Sequence, residues 1–371
     1  MITTKENKEK GEGIMKKKVL GTALAFILGM SVLTGCGNST AEANSKDASS
    51  SASTSSEATE KTGELNKTDH LNIALQPIPG YLPVTVLQDK GWLEEALAEA
   101  GYDNVEVTYT EFESGPPENE AFASGTQDLG VMGNVPTISG AAAGQSRSII
   151  GVAYNGEKTE AVIVPKDSEI KDVKELKGKN IGLVVGSIAQ DYLDRLLEKE
   201  GIASADVNLV NLAVSEQLNA LATGQVDAIV TWQPTLAKAE AQEIGKVLVD
   251  GTGVYKCENL ISGNAEYIEE NPEIVQIFVQ QYARAAAEVS NNIPDYAAQY
   301  ADKYGLDASI VEATLKDINY QVSILDEDVD DFQATADWLY NAGNVKTSVK
   351  IKDIVVDKYA NDDSIAEFLS K

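Results

Sequence analysis

A single histidine, His70, and two cysteines, Cys36 and Cys257, occur in 371 residues. Without a His/Cys cluster a zinc site has no ligand set, and Ser-His or Cys-His catalysis has no base beside its nucleophile, so no metal, no cofactor and no enzymatic activity are expected. Two cysteines allow at most one disulfide, and even that pair is lost if Cys36 is modified as argued below. Cys257 then reads as a small buried hydrophobe rather than a reactive thiol. Basic residues are scarce too: 30 Lys and Arg stand against 58 Asp and Glu, a formal net charge of −28. Such a surface repels phosphates and anionic lipid heads, which excludes nucleic acid and a lipid-binding face. Long apolar runs are missing as well. The longest, Val19 to Leu33, is about 15 residues, too short for a bilayer core. What remains, 43% hydrophobic and 24% charged residues, is the composition of a globular α/β protein with room for two domains.

The short apolar run follows Lys16-Lys17-Lys18 and ends in Leu33-Thr34-Gly35-Cys36. This order of positive charge, apolar stretch and small residues is that of a secretory signal, and its end resembles the bacterial lipobox. Residues 1–35 are therefore expected to be a signal peptide, and Cys36 a lipidated residue anchoring the protein to the outer face of the cell membrane. Met15 is the expected true start, because residues 1–14 are polar and precede a complete signal; a precursor whose N-terminal sequence began at Met1 would refute this. Residues 36–68 are Ser, Ala, Thr, Glu and Lys with almost nothing apolar, and are expected to form the lipid anchor and a flexible tether.

Past the tether, β-branched runs alternate with helical periods. Strands are expected at 71–75, 105–109, 129–132, 181–185, 207–210 and 228–231, the alternation that builds parallel sheets. The chain also echoes itself. Ala121-Phe-Ala-Ser-Gly-Thr-Gln-Asp128 recurs as Ala220-Leu-Ala-Thr-Gly-Gln-Val-Asp227, each copy soon reaching Pro-Thr, at Pro136-Thr137 and Pro234-Thr235; Asn72-Ile-Ala-Leu75 echoes Asn180-Ile-Gly-Leu183. Each copy reads as a helix ended by glycine, a turn, a buried strand and a proline-opened helix. Two like units imply two like lobes. Asp128 and Asp227 are expected to shape the turn into their strands rather than to catalyse.

Ligands of open α/β sheets bind beyond the carboxyl ends of the strands. That rule selects Gln76–Tyr81, Phe112–Pro117 and Gly133–Thr137 in the first lobe, and Gly186–Gln190 and Trp232–Thr235 in the second. Three of these loops run into helix N-termini, whose free N–H groups favour an anionic or strongly hydrogen-bonding group. The loops hold no Arg or Lys, so an anion would rest on backbone N–H groups and on Ser114, Asn134, Ser187 and Gln190. Each of these side chains also has a plain reading as a helix cap. Tyr81 and Trp232 would supply apolar walls, although a lone aromatic is more often core. Val135 and Gln233 lie in the same loops, and Tyr154, Asn155 and Glu160 near the crossing into the second lobe.

Phe112-Glu-Ser-Gly-Pro-Pro117, Gly133-Asn-Val-Pro-Thr137 with Ala141-Ala-Ala-Gly144, Glu160-Ala-Val-Ile-Val-Pro-Lys-Asp167, Asp172-Val-Lys-Glu-Leu-Lys-Gly-Lys179 and Val226-Asp-Ala-Ile-Val-Thr-Trp-Gln-Pro234 together resemble the aliphatic-sulfonate, taurine and nitrate solute-binding proteins of ABC importers. The resemblance implies a two-lobed type II periplasmic-binding fold: mixed parallel sheets flanked by helices and joined by a two-strand hinge. It places a first lobe at 69–159, completed by 258–371, and a second at 160–257, with Asn271-Pro-Glu273 opening a long helix in the return segment. Gln76, Ser114, Gly115, Asn134, Gly186, Ser187, Ile188 and Trp232 resemble cleft-lining positions. Gln76-Pro-Ile-Pro-Gly80 departs from the family's opening loop, and Gln233 stands where members often carry an acidic residue.

The resulting expectation is a monomeric extracytoplasmic receptor that captures a small organic anion, such as an aliphatic sulfonate or taurine, by hinge closure and hands it to an ABC permease. A neutral or cationic heteroaromatic, such as a pyrimidine thiamine precursor, is the alternative ligand. Two other classes compete, an enzyme on this fold and an adhesion or signalling lipoprotein. Paired acids such as Glu111 and Glu113 are available to an enzyme, but they read as a solvated face.

Overall fold

The β-branched runs become strands, and four further strands complete two sheets. A computed structural model describes residues 68–369; the expected signal peptide, Cys36 and nearly all of the Ser-rich tether lie outside the described residues. The strands are β1 (His70–Leu75), β2 (Glu106–Glu111), β3 (Leu129–Gly133), β4 (Arg147–Gly156), β5 (Glu160–Pro165), β6 (Asn180–Leu183), β7 (Asn208–Asn211), β8 (Ala228–Trp232), β9 (Gly245–Asp250) and β10 (Cys257–Asn264). One sheet has the order β2-β1-β3-β10-β4 and the other β7-β6-β8-β5-β9. In both, the first three strands are parallel, and a long-range strand (β10 or β5) then joins antiparallel to the third. The four strands that the alternation of runs does not reveal are the ones around these antiparallel joins.

The internal echo is structural. Ile73 pairs with Leu129 as Ile181 pairs with Ala228. Asp128 accepts from the Asn72 backbone N–H at 2.7 Å, and Asp227 from that of Asn180 at 2.8 Å. Each aspartate therefore ties the turn to the neighbouring strand, which is the turn-shaping role and not a catalytic one. Gly125 and Gly224, at the ends of the preceding helices, share a φ of 71°, a left-handed conformation that glycine adopts without a Cβ penalty.

The chain crosses between the sheets twice, at 157–159 and 251–256. After β10 it stays with the first sheet: the long helix Pro272–Asn291 packs on the helices Leu82–Lys90 and Trp92–Glu99, and Asp326–Asn341 packs on Asn134–Ala142. This gives two α/β lobes, with the C-terminal helices on lobe 1. The main core joins Ile73, Val131 and Ile261 of the first sheet to Phe278 and Tyr282 of the long helix, all fully buried, and each such side chain contributes about 1.5–3 kcal/mol.

Candidate functional site

The carboxyl ends of β1, β2 and β3 and the amino end of β10 point toward lobe 2, and the carboxyl ends of β6 and β8 and the amino end of β5 point back. The lobes meet at these ends. A Cβ on Gly133 would lie 2.5 Å from Ile188 Cγ2, and one on Gly186 would lie 4.0 Å from Pro116. Glu113 Oε1 accepts from the Ser215 backbone N–H at 2.6 Å, which makes Glu113 an interlobe contact. Its neighbour Glu111 pairs with Lys303.

Three helices begin at this junction: Gly115–Ala123, Asn134–Ala142 and Ile188–Lys199. All three begin inside segments that sequence reasoning treats as loops, and in two of them Pro116 and Pro136 sit in the first turn, where a missing N–H costs nothing. Ser114 is the extended N-cap of the first helix, buried, and its side chain makes no capping hydrogen bond. At Gly115 a Cβ would approach Pro136 Cγ to 2.4 Å, so glycine lets these two helix starts touch. Asn134 Oδ1 accepts from the Val135 N–H at 2.8 Å, and its Nδ2 donates to Thr335 of the C-terminal helix at 3.2 Å. Val135 is fully buried in the core.

On the lobe 2 side several candidates bond locally. Ser187 caps its helix through the Ala189 N–H at 3.2 Å and donates to Val184 O at 2.7 Å. Gln190 accepts from the Gly186 N–H at 2.9 Å, and Gln233 from the Ala237 N–H at 3.2 Å. Gly186 and Gln190 line a crevice of about 340 Å³ between the lobes, with Pro116, Pro136 and Leu339. Trp232 ends β8, buried, directly opposite Glu160 in the ladder.

The hinge side is polar and buried. Tyr81 is 1% exposed; its hydroxyl donates to Asn259 and its ring packs 5.5 Å from that of Tyr154. Asn259 Nδ2 donates to Cys257 Sγ at 3.1 Å. The Thr159 hydroxyl donates to Glu160 at 2.6 Å, and the Cys257 thiol also bonds this carboxyl. Burial pushes Glu160 up to about 7 against these two donors. Burial, reinforced by Glu160, pushes the Cys257 thiol up, so Cys257 is a protonated donor rather than a nucleophile. Asn155 bonds Asn319 and Gln321 away from this cluster. Gln76 Nε2 donates to the fully buried Glu118 at 2.9 Å.

Sequence reasoning missed Glu118, Arg147, Arg195 and Thr335. The loops hold no cation, yet Arg195 comes in from the eighth residue of its helix, bonded to buried Asp191 at 2.7 Å and to Thr335 at 3.2 Å. It lines a polar cavity of about 120 Å³ with Asn134, Tyr255 and Lys256. Charge in the first turn of a proline-opened helix was the only available sign of Glu118. Among the described residues no group of three or more His, Cys, Asp or Glu is placed to hold a metal ion.

The profile of the NMT1/THI5-like family matches residues 79–297. The chain belongs to this family. A Bacillus subtilis member named for aliphatic sulfonate binding is 31% identical over 276 residues, 74% of this chain and 82% of that protein. The alkanesulfonate-binding protein of Xanthomonas axonopodis pv. citri, solved with MOPS bound, superposes with a TM-score of 0.71 at 25% identity, covering 78% of this chain and 99% of that one. The family also reaches enzymes: a 4-amino-5-hydroxymethyl-2-methylpyrimidine phosphate synthase of Saccharomyces cerevisiae is 23% identical over 59% of this chain and 66% of its own length. The two-lobed α/β architecture is thus that of the family's periplasmic sulfonate-binding members.

Proposed function

We propose that this protein is the extracytoplasmic receptor of an ABC importer, a monomer that closes on a small sulfonate and presents the closed form to the permease. The observation that carries this is the convergence of three helix N-termini, at Gly115, Asn134 and Ile188, from both lobes onto one junction. Helix N-termini gathered at one junction favour an anionic head, and a ligand touching both lobes stabilises the closed state by its additional contacts. The cleft residues of this reading are Gln76, Ser114, Gly115, Asn134, Gly186, Ser187, Ile188 and Trp232, with Tyr81, Val135, Gln190 and Gln233 behind them. Glu160, buried beside Trp232, favours a sulfonate that also carries a donor, as an ω-amino sulfonate of the taurine kind does. Cys36 serves as the lipid anchor.

A thermal-shift series with ethanesulfonate, taurine, nitrate, sulfate and aminopyrimidines tests the ligand. A hundredfold excess over Kd stabilises the fold by about 2.7 kcal/mol. Scattering profiles unchanged by a saturating hit would refute closure, and a Cys36→Ser protein that still partitions with membranes would refute the anchor. The buried Trp232, Tyr81 and Tyr154 rings, with the buried Glu160 carboxyl beside Trp232, favour one second reading, a heteroaromatic ligand with hydrogen-bond donors. Trp232→Ala separates the two, because loss of stacking weakens an aromatic ligand by roughly 1–3 kcal/mol and an anion held by helix ends much less.

A further inference from the structure

One carboxyl group of lobe 1 has no part in the reading above. Glu118, in the first turn of Gly115–Ala123, is 0% exposed. Its Oε2 accepts from Gln76 Nε2 at 2.9 Å, and its Oε1 has no hydrogen-bond partner among the described residues. The space around Oε1 is closed by Gly130 of β3, where a Cβ would stand 3.1 Å away. Two titratable groups face the carboxyl. Tyr81, from the turn after β1, is held neutral by burial. Arg147, from β4, is the charged one, but its guanidinium bonds Asn119 at 2.7 Å and Gln145 at 3.1 Å and lies over the Phe122 ring at 3.7 Å. Neither β3 nor the helix Asn134–Ala142 contains a titratable residue.

Gln76 directly follows β1, where the cleft of the proposed function begins, and this inference rests on that placement. An ionised carboxylate can only accept, so while Glu118 is charged Gln76 must turn its NH2 inward and its carbonyl toward the cleft. A protonated Glu118 can donate. A half-turn of the Gln76 amide then accepts that O–H and points the NH2 at the cleft instead. The two arrangements differ by one proton and by a rotation of a planar group of nearly constant shape, so packing does not choose between them. Burial lifts Glu118 to about 8 against the opposing pull of Gln76 and Arg147, which brings both within reach of ordinary solution conditions.

We propose that Glu118 is a specificity-determining positioning residue whose protonation decides whether Gln76 offers the solute an acceptor or a donor. Ligand-free protein tests the switch by NMR, following the Glu118 side-chain carboxyl carbon and the Gln76 side-chain amide from pH 5.5 to 10. Both should titrate with one midpoint, well above the usual carboxylate range, and Glu118→Gln should leave the Gln76 amide flat. A Glu118 midpoint in the ordinary range, or a Gln76 amide that stays flat while Glu118 titrates, overturns the proposal. If Glu118→Gln does not fold, Gln76→Leu carries the test: it removes the donor to the ionised form, so the Glu118 midpoint must rise, and an unmoved midpoint counts against the switch. With ethanesulfonate as probe, Kd should change about five- to tenfold across the same midpoint in the natural protein and stay constant in Glu118→Gln. Ethanesulfonate that binds with a pH-independent Kd overturns the assignment to specificity; ethanesulfonate that binds at no pH refutes the sulfonate reading, and the ligand-free titration then decides the switch.

Discussion

The two lobes repeat one strand order and one aspartate-tied turn, yet they fill the same helix position differently. Three residues before Ala121 stands Glu118, and three before Ala220 stands Gln217; both are 0% exposed. Glu118 has Gln76 as its donor. Neither Nε2 nor Oε1 of Gln217 has a hydrogen-bond partner among the described residues. The residue after the first parallel strand makes the difference: Gln76 follows Asn72-Ile-Ala-Leu75, whereas Val184 follows Asn180-Ile-Gly-Leu183. A repeated backbone reproduces its main-chain bonds automatically, but each lobe must supply its own partners for buried polar side chains.

The largest expected effect is on the pH dependence of stability. Burial holds Glu118 and Glu258 at about 8 and Glu160 at about 7, all above the ordinary carboxyl value. The folded state therefore keeps protons that the unfolded state releases. That contribution is complete below about pH 4.5 and is lost as pH rises through 7–8, at up to about 1.4 kcal/mol per pH unit for each group. Urea midpoints should fall across this window. Glu118→Gln should remove one group's part of this fall, leaving that of Glu258 in the same lobe, and Gln217→Glu should steepen the curve by adding a buried carboxyl at the matching position of lobe 2.

Truncation at the same two positions should act with opposite signs. Glu118→Leu leaves the Gln76 amide without its acceptor and buried Arg147 without its nearest opposite charge, a loss of roughly 3 kcal/mol. Gln217→Leu removes two unpaired polar atoms and should stabilise by about 1–2 kcal/mol. Equal signs in urea unfolding would break the comparison. Smaller differences belong to the aspartates. Asp128 accepts from both the backbone and the side chain of Asn72, at 2.7 and 2.9 Å, while among the described residues the side chain of Asp227 accepts from the Asn180 backbone alone. Asp128→Ala should cost about 2 kcal/mol and Asp227→Ala about 1 kcal/mol. At the glycines the lobes should agree: Gly125→Ala and Gly224→Ala meet the same φ of 71° and should each cost about 1 kcal/mol.

Much of the scaffold is legible in the residues. Six of the ten strands among the described residues announce themselves as β-branched runs between helical periods, and Gly125, Gly224, Asp128 and Asp227 mark the turns between them. These are local signals, carried by neighbours along the chain. The other four strands, β4, β5, β9 and β10, surround the antiparallel joins, and nothing local says that a strand from beyond the other lobe will complete a sheet. The candidate loops are legible for the same reason as the strands that end in them. Which of their side chains stay available is not: Ser187, Gln190 and Gln233 accept from backbone N–H groups within four residues.

The amino-acid sequence by itself determined the α/β class, the duplicated plan and the segments that end its strands, because periodicity, turn chemistry and capping act over a few residues. Tertiary structure decided the partners. Thr335 reaches Asn134 across 201 residues, Tyr81 reaches Asn259 across 178, and Gln76 reaches Glu118 across 42. A buried polar group is defined by what the fold brings against it from far along the chain, and its charge state follows from the burial that the same packing imposes.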